Sequence, residues 1–297
     1  MRLGDLKNIL NDIEIYRDGE FEAFAQCIVR LNKKIITFYD DDRYLNDLIN
    51  NENITCVICS EDKINNIPSN KGILISNEPR YTFFKLYTLI MDDKTKEKNT
   101  VMGKNVQIGS NVFISEDNVK IGNNVIIGNN TVIEKNTVIE NDVVIGANCV
   151  IGSEGYEVKR RKDGSLFPVS HYGRVHIREK TVIKSMVNIH KAVFDWDTTE
   201  IGKNCVIDSF THIAHGNKIG NSILIGANCT ISGNCKIEDF ACIDPGACIA
   251  KRINIGKNSK VNIGSVVTKN VIENSSVTGN FAVEHRKWIE FVKNVSK

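Results

Sequence analysis

The sequence predicts a mainly β chain: a parallel coil with three faces of very short strands, an α/β domain before it and a short helix after it. Three observations carry this. An aliphatic residue recurs every six positions over much of the chain, Gly and Asn recur between those aliphatics, and the residues up to about position 98 show no such repeat.

The period starts at Ile121 and runs through Ile127, Ile133, Ile139, Ile145 and Ile151. After an interruption it resumes at Ile177 and continues through Ile183, Ile189, Ile201, Ile207, Ile213, Ile219, Ile225, Ile231, Ile237, Ile243, Ile249, Ile255 and Val261 to Val267, with Asp195 the only polar occupant. A period of six fits neither a helix nor a heptad, but it suits short strands joined by tight bends. Gly and Asn, as in IGNNVI and IGANCT, tolerate the positive φ that such bends need. Three faces of about six residues make a coil of about 18, so residues 18 apart stack and the aliphatics fill a dry axis. Cys149, Cys205, Cys229 and Cys235 fall four places after an aliphatic, the inward small position, and read as core atoms.

Residues 152–176, rich in Gly, charge and aromatics, are too long for a bend and are expected to loop out from a corner of the coil. Their run Lys159, Arg160, Arg161, Lys162 reads as a solvated charge run or as a phosphate contact. Residues 1–98 mix helical stretches (FEAFAQCIVRLN, YTFFKLYTLIMDD) with apolar strands (KKIITF, ITCVICS, GILIS), a separate α/β domain. The coil is expected to span 99–275, and 276–297 to hold an amphipathic helix with Val283, Trp288, Ile289, Phe291 and Val292 on its apolar side.

Composition narrows the chemistry. Thirty-eight Lys and Arg against 36 Asp and Glu leave no global field for nucleic acid or an anionic membrane. No apolar stretch is long enough to span a bilayer and the N-terminus has no secretory core, so the chain reads as cytoplasmic. Nine cysteines without the spacing of a disulfide framework agree with a reducing compartment. The lone CxxC of Cys56 and Cys59 lies in a β-branched run whose alternation sends the two thiols to opposite faces, which disfavours a metal or redox role.

His215, in IDSFTHIAHGNKIG, follows an inward Ile by two places and points out of the coil; one coil later, at 215 + 18, stands Gly233. An imidazole beside a backbone N–H without side-chain cover suits proton removal from an attacking amine and stabilisation of the oxyanion formed from a thioester. Neither a metal nor a covalent intermediate is required.

The ordered set of motifs resembles the UDP-3-O-acylglucosamine N-acyltransferases, hexapeptide-repeat enzymes of lipid A synthesis. These join a uridine-binding α/β domain to a left-handed parallel β-helix and act as trimers. ITFYDDDRYLNDL carries Phe38 and Tyr44 at the spacing of the family's uracil-stacking aromatics, IGSEGYEV and GRVHI bracket its loop, and VIDSFTHIAHGNKIG carries Asp208 and His215 at its sugar-contacting and catalytic positions. Gly233 aligns with its oxyanion-hole glycine. The resemblance further implies substrate contacts at His190 and Lys191, where the family has Asp-Arg, and it departs at Asp41, in place of Asn, and at Arg252, in place of a second functional histidine.

The stretch IGSVVTKNVIENSSVTGN is instead similar to the terminal coils of acetyl-CoA-dependent hexapeptide sugar acetyltransferases, with Lys269 and the Gly279-Asn280 pair in matching order. Together with the few residues that follow the last coil, this favours a short acyl-CoA over acyl carrier protein, with Lys251, Arg252 and Lys269 near the CoA phosphates. The expected function is a cytoplasmic, homotrimeric N-acyltransferase that acts on a UDP- or dTDP-linked amino sugar in lipopolysaccharide or surface-glycan synthesis. It binds no permanent cofactor, metal or nucleic acid.

Three alternatives compete. The first is the family's own acyl-carrier-protein reaction. The second is zinc lyase chemistry resembling that of γ-class carbonic anhydrase, for which His190, His212 and His215 are candidate ligands although their separations are not multiples of 18. The third is a catalytically silent β-helix that only binds.

Overall fold

In a computed structural model, residues 1–10, 13–94, 99–279 and 282–295 are described. Asn280, of the Gly279-Asn280 pair, lies outside them. The chain divides into two compact units, one of residues 1–98, 154–173 and 193–196, the other of 99–153, 174–192 and 197–297.

The first unit is built on a five-stranded sheet. Its strands are β1 (Glu14–Arg17), β2 (Ala23–Phe24), β3 (Ile35–Tyr39), β4 (Ile54–Cys59) and β5 (Gly72–Ile75), ordered β1-β5-β4-β3-β2. Strands β2 to β5 run parallel and β1 pairs antiparallel with β5. Alternation sorts the side chains: Ile36, Cys56, Ile58 and Leu74 pack with Phe83, Phe84 and Tyr87 of helix α2 (Pro79–Lys94), while Ile35, Tyr39, Val57 and Cys59 pack with Leu48 of helix α1 (Leu45–Asn50). Cys56 and Cys59 therefore stand on opposite sides of the sheet, and burial pushes both thiols up to about 11, leaving little thiolate at neutral pH.

The loop expected to project from the coil packs into this unit instead. It forms an antiparallel hairpin of Val158–Arg160 and Leu166–Pro168. Arg161 binds Glu78 at 2.7 Å and lies over the Tyr81 ring at 4.2 Å, Lys159 pairs with Glu157, and the Tyr172 hydroxyl donates to Asp92 at 2.6 Å. The cationic run is thus tied into ion pairs and aromatic contacts, neither solvated nor open to phosphate at those two residues. Asp195 belongs here too. Its N–H donates to the Tyr87 hydroxyl at 2.8 Å, and the Trp196 indole donates to the Phe24 carbonyl at 2.9 Å. Asp195 is therefore no polar plug in the coil axis; the chain leaves the axis at 193–196.

The second unit is a left-handed parallel β-helix. Two- to four-residue strands stack into three parallel sheets of eight, nine and eight strands. The first face includes Arg174–Ile177, Thr198–Ile201, Lys218–Ile219 and Lys236–Ile237; the second Val182–Ile183, Val206–Ile207 and Leu224–Ile225; the third Asn188–His190, His212–Ile213, Thr230–Ile231, Cys248–Ile249 and Val266–Val267. The six-residue aliphatics and Cys149, Cys205, Cys229 and Cys235 form one continuous buried core. Residues 18 apart pair where coils are unbroken, as Ile213 with Ile231 and Ile231 with Ile249. Across the 193–196 excursion the pairing jumps by 24, as Ile177 with Ile201 and Ile189 with Ile213.

Most corners are turned by a residue at positive φ, often Asn, and the N–H of that residue commonly donates to a carbonyl of the previous coil, as Asn228 does to Ser209. At several corners the residue before the positive-φ one has its own N–H capped by an Asn or Asp side chain one coil on, as Asn141 caps Asn123 at 2.7 Å and Asp239 caps Asn221 at 2.7 Å. The chain continues into helix α3 (His285–Val295). Among the described residues no helix is long and apolar enough to cross a membrane.

Candidate active site

The registers Ile213↔Ile231↔Ile249↔Val267 place His215, Gly233, Lys251 and Lys269 at the same corner of four successive coils, each two residues past the paired position. The corner joins the third face to the first. A Cβ on Gly233 would stand 2.8 Å from both Cε1 and Nε2 of the His215 ring. Only a glycine lets the backbone approach the imidazole this closely.

The corner is clamped from several sides. The His215 carbonyl accepts from the Asn234 N–H at 2.9 Å, and the Gly233 carbonyl accepts from the Arg252 N–H at 3.0 Å. Asn217, fully buried, donates to the Ala214 carbonyl at 2.7 Å and accepts from the Cys235 N–H at 2.8 Å, while the Gly216 N–H donates to Thr199 Oγ1 at 2.8 Å. His215 itself is only 9% exposed. Such a bonded frame holds a side chain in place without further ordering on binding.

The N–H of Gly233 has no such Asn or Asp cap, because the coil above it offers Lys251, whose side chain has no acceptor.

His190 and His212 meet near this corner with ring centroids 4.6 Å apart at 78°. Sequence arithmetic missed the pair, because the coil between them is 24 residues long and the pairing Asn188↔His212, Ile189↔Ile213 puts them together. Burial holds the His212 imidazole below its usual pKa. Lys191 is buried on the same edge, its N–H donating to the Ser153 carbonyl at 3.0 Å, whereas Lys251, Arg252 and Lys269 are exposed, Arg252 at a φ of 62°.

The remaining candidates are elsewhere. Asp208 is exposed at the corner between the second and third faces, where its carboxylate accepts from the Ser209 N–H at 2.7 Å, so strand His212–Ile213 separates it from His215. Within the first unit, Phe38 packs against Phe83 at 5.1 Å with the Arg80 guanidinium 5.3 Å from its ring, and Tyr44 joins the cluster on the other side of the sheet. Asp41 is bound by Arg43, which lowers its pKa to about 2. A groove of about 650 Å³ on the first face, lined by Arg178, Glu200, Lys203, Lys218, Lys236 and Glu238 among others, does not reach His215. Arg178 pairs with Glu200 and Lys236 with Glu238 within it, while Lys203 pairs with Glu179 and Lys218 with Asp197 beside it.

Comparison with known proteins bears on the coil. The family model for bacterial transferase hexapeptide (six repeats) matches residues 99–135 and 118–153. No curated protein sequence matches the chain. Among solved structures, the UDP-N-acetylglucosamine acyltransferase from Campylobacter jejuni is similar, with 20% identity and a TM-score of 0.54 over 67% of this chain and 80% of that one. LpxA from Acinetobacter baumannii is similar at 21% identity and a TM-score of 0.55, over 67% of this chain and 74% of that one. The chain shares with these proteins the left-handed parallel β-helix of hexapeptide repeats.

Proposed function

We propose that the protein is an acyltransferase that moves an acyl group from a thioester to the amine of a nucleotide-linked amino sugar, with His215 as general base. The approach of the Gly233 backbone to the His215 ring carries this reading. The amine nitrogen attacks the thioester carbonyl and His215 takes its proton; the C–S bond then breaks and the thiolate leaves, receiving that proton. The Gly233 N–H, with no carboxamide or carboxylate from the coil above to cap it, is the donor for the oxyanion between those steps.

Lys251, Arg252 and Lys269 lie along the coils beyond Gly233, away from the two histidines, which supports a donor phosphate group on that side and the acceptor sugar toward His190, Lys191 and His212. A short acyl-CoA fits exposed cations better than a long acyl chain does. The uridine role of Phe38 requires a base to stack on a ring already faced by Arg80, and Asp208 reaches a sugar at His215 only from a neighbouring molecule. A homotrimer supplies that neighbour. The outer positions of the second face, Ile126, Val144, Val182, Val206 and Leu224, form an apolar ladder, with Leu224 53% exposed in the single chain.

Purified protein incubated with UDP- and dTDP-amino sugars and either acetyl-CoA or 3-hydroxyacyl carrier protein, followed by mass spectrometry, tests the reaction. An amide product from acetyl-CoA supports the reading, an ester assigns the hydroxyl as acceptor, and turnover with the carrier protein alone reassigns the donor. His215→Ala should lower the rate about 10²- to 10⁴-fold without loss of the folded coil; a rate near wild type removes His215 from the chemistry.

A further inference from the structure

Helix α3 exposes every side chain it has among the described residues, with Trp288, Phe291 and Val295 exposed by 50, 57 and 68%. At about 100° per residue, Phe291, Val295, Trp288, Val292 and Ile289 follow one another round about 160° of the helix. His285, in the first turn, is the one polar residue within that arc. Lys287 borders it beside Phe291, Arg286 and Lys293 border it beside Ile289, and Glu290 sits in the middle of the opposite face.

Cations on both borders and the acid farthest away form the charge pattern of a helix lying in a lipid headgroup layer. Long basic side chains run their stems along the apolar edge and set their charges among phosphates, while Trp and Phe occupy the boundary. Eleven residues span about 16 Å, far short of the roughly 30 Å needed to cross a bilayer, so the helix would lie flat. A second copy of so short a helix would bury a few hundred Å² at most, well under the roughly 800 Å² per partner of a stable interface.

We propose that α3 is an interfacial anchor that lays its apolar arc on an anionic lipid surface. One such helix binds weakly and reversibly, and several copies in an oligomer bind by avidity.

The full-length chain, carrying Trp196→Phe so that Trp288 is the only indole, is sedimented with vesicles of phosphatidylcholine alone or mixed equally with phosphatidylglycerol. Binding to the mixed vesicles should be about tenfold stronger or more, weaken in high salt, and shift the Trp288 emission to the blue. Phe291→Asp should abolish it, and Lys287→Glu with Lys293→Glu should remove the preference for anionic lipid; these latter changes touch no apolar contact and guard against misfolding in the first variant. Absence of binding to mixed vesicles overturns the proposal. So does Trp288 emission that is already blue-shifted and shielded from acrylamide without lipid, because the arc is then covered by protein.

Discussion

A methyl group at position 233 would press on Cε1 and Nε2 of His215 at 2.8 Å, and the frame of Asn217, Asn234 and Gly216 leaves the ring, not the backbone, to move. Gly233→Ala should therefore lower kcat/KM by about 10²-fold or more while the melting temperature changes little, because the displaced group is the proposed general base. Steady-state kinetics beside a thermal melt check this, and full activity would separate the pair. His212 predicts a different signature. Its folded pKa is depressed, so the folded state binds fewer protons than the unfolded one, and its contribution to stability is present above the unfolded value of about 6.5 and lost as pH falls through the depressed folded value. Urea midpoints measured from pH 7.5 downward should decline less steeply in His212→Asn than in wild type. Position 215 and its glycine were legible from residue spacing because the coils between them are unbroken; the His190–His212 contact was not, because counting in steps of 18 fails across a coil of 24.

At the scale of elements, the corners are where local chemistry can be tuned. Most positive-φ positions are Asn, but Lys180 turns its corner at a φ of 60°, a conformation that costs a Lys about 1 kcal/mol and an Asn less. Lys180 is exposed and its N–H donates to the Asn141 carbonyl, a bond that any residue except Pro keeps. Lys180→Asn should raise stability by roughly 0.5 to 1 kcal/mol, read as a shift in urea midpoint at unchanged m-value. The strands and corners followed from the period of six, since each hexad encodes its own inward residue and bend. The hairpin did not: Arg161, Phe167 and Tyr172 find partners in Glu78, Tyr81 and Asp92, about 80 residues earlier, and no local pattern announces a contact at that range. Asp195 misled for the related reason that the excursion adds six residues, so the count of hexads passes through it undisturbed.

At the scale of the whole molecule, two kinds of order are joined in one chain. The first unit depends on contacts between distant segments, and three separate stretches must come together to complete it. The β-helix depends only on the coil above and the coil below. Its length is therefore countable in whole turns, like the thread of a screw. Removing residues 238–255, one turn, joins Ile237 to Gly256 with every later residue on its original side, so Lys269 moves down to the place Lys251 held above Gly233. Removing 238–243 also preserves the inward aliphatics, but it rotates everything beyond by one face and carries Lys269 away from the His215 corner. Both shortened chains should melt cooperatively, yet only the first should keep a donor KM within about tenfold of wild type. Equal loss in the two would show that the lysines take no part in donor binding, and the 24-residue coil already present shows that the thread keeps its phase when extra residues leave it, as 193–196 do.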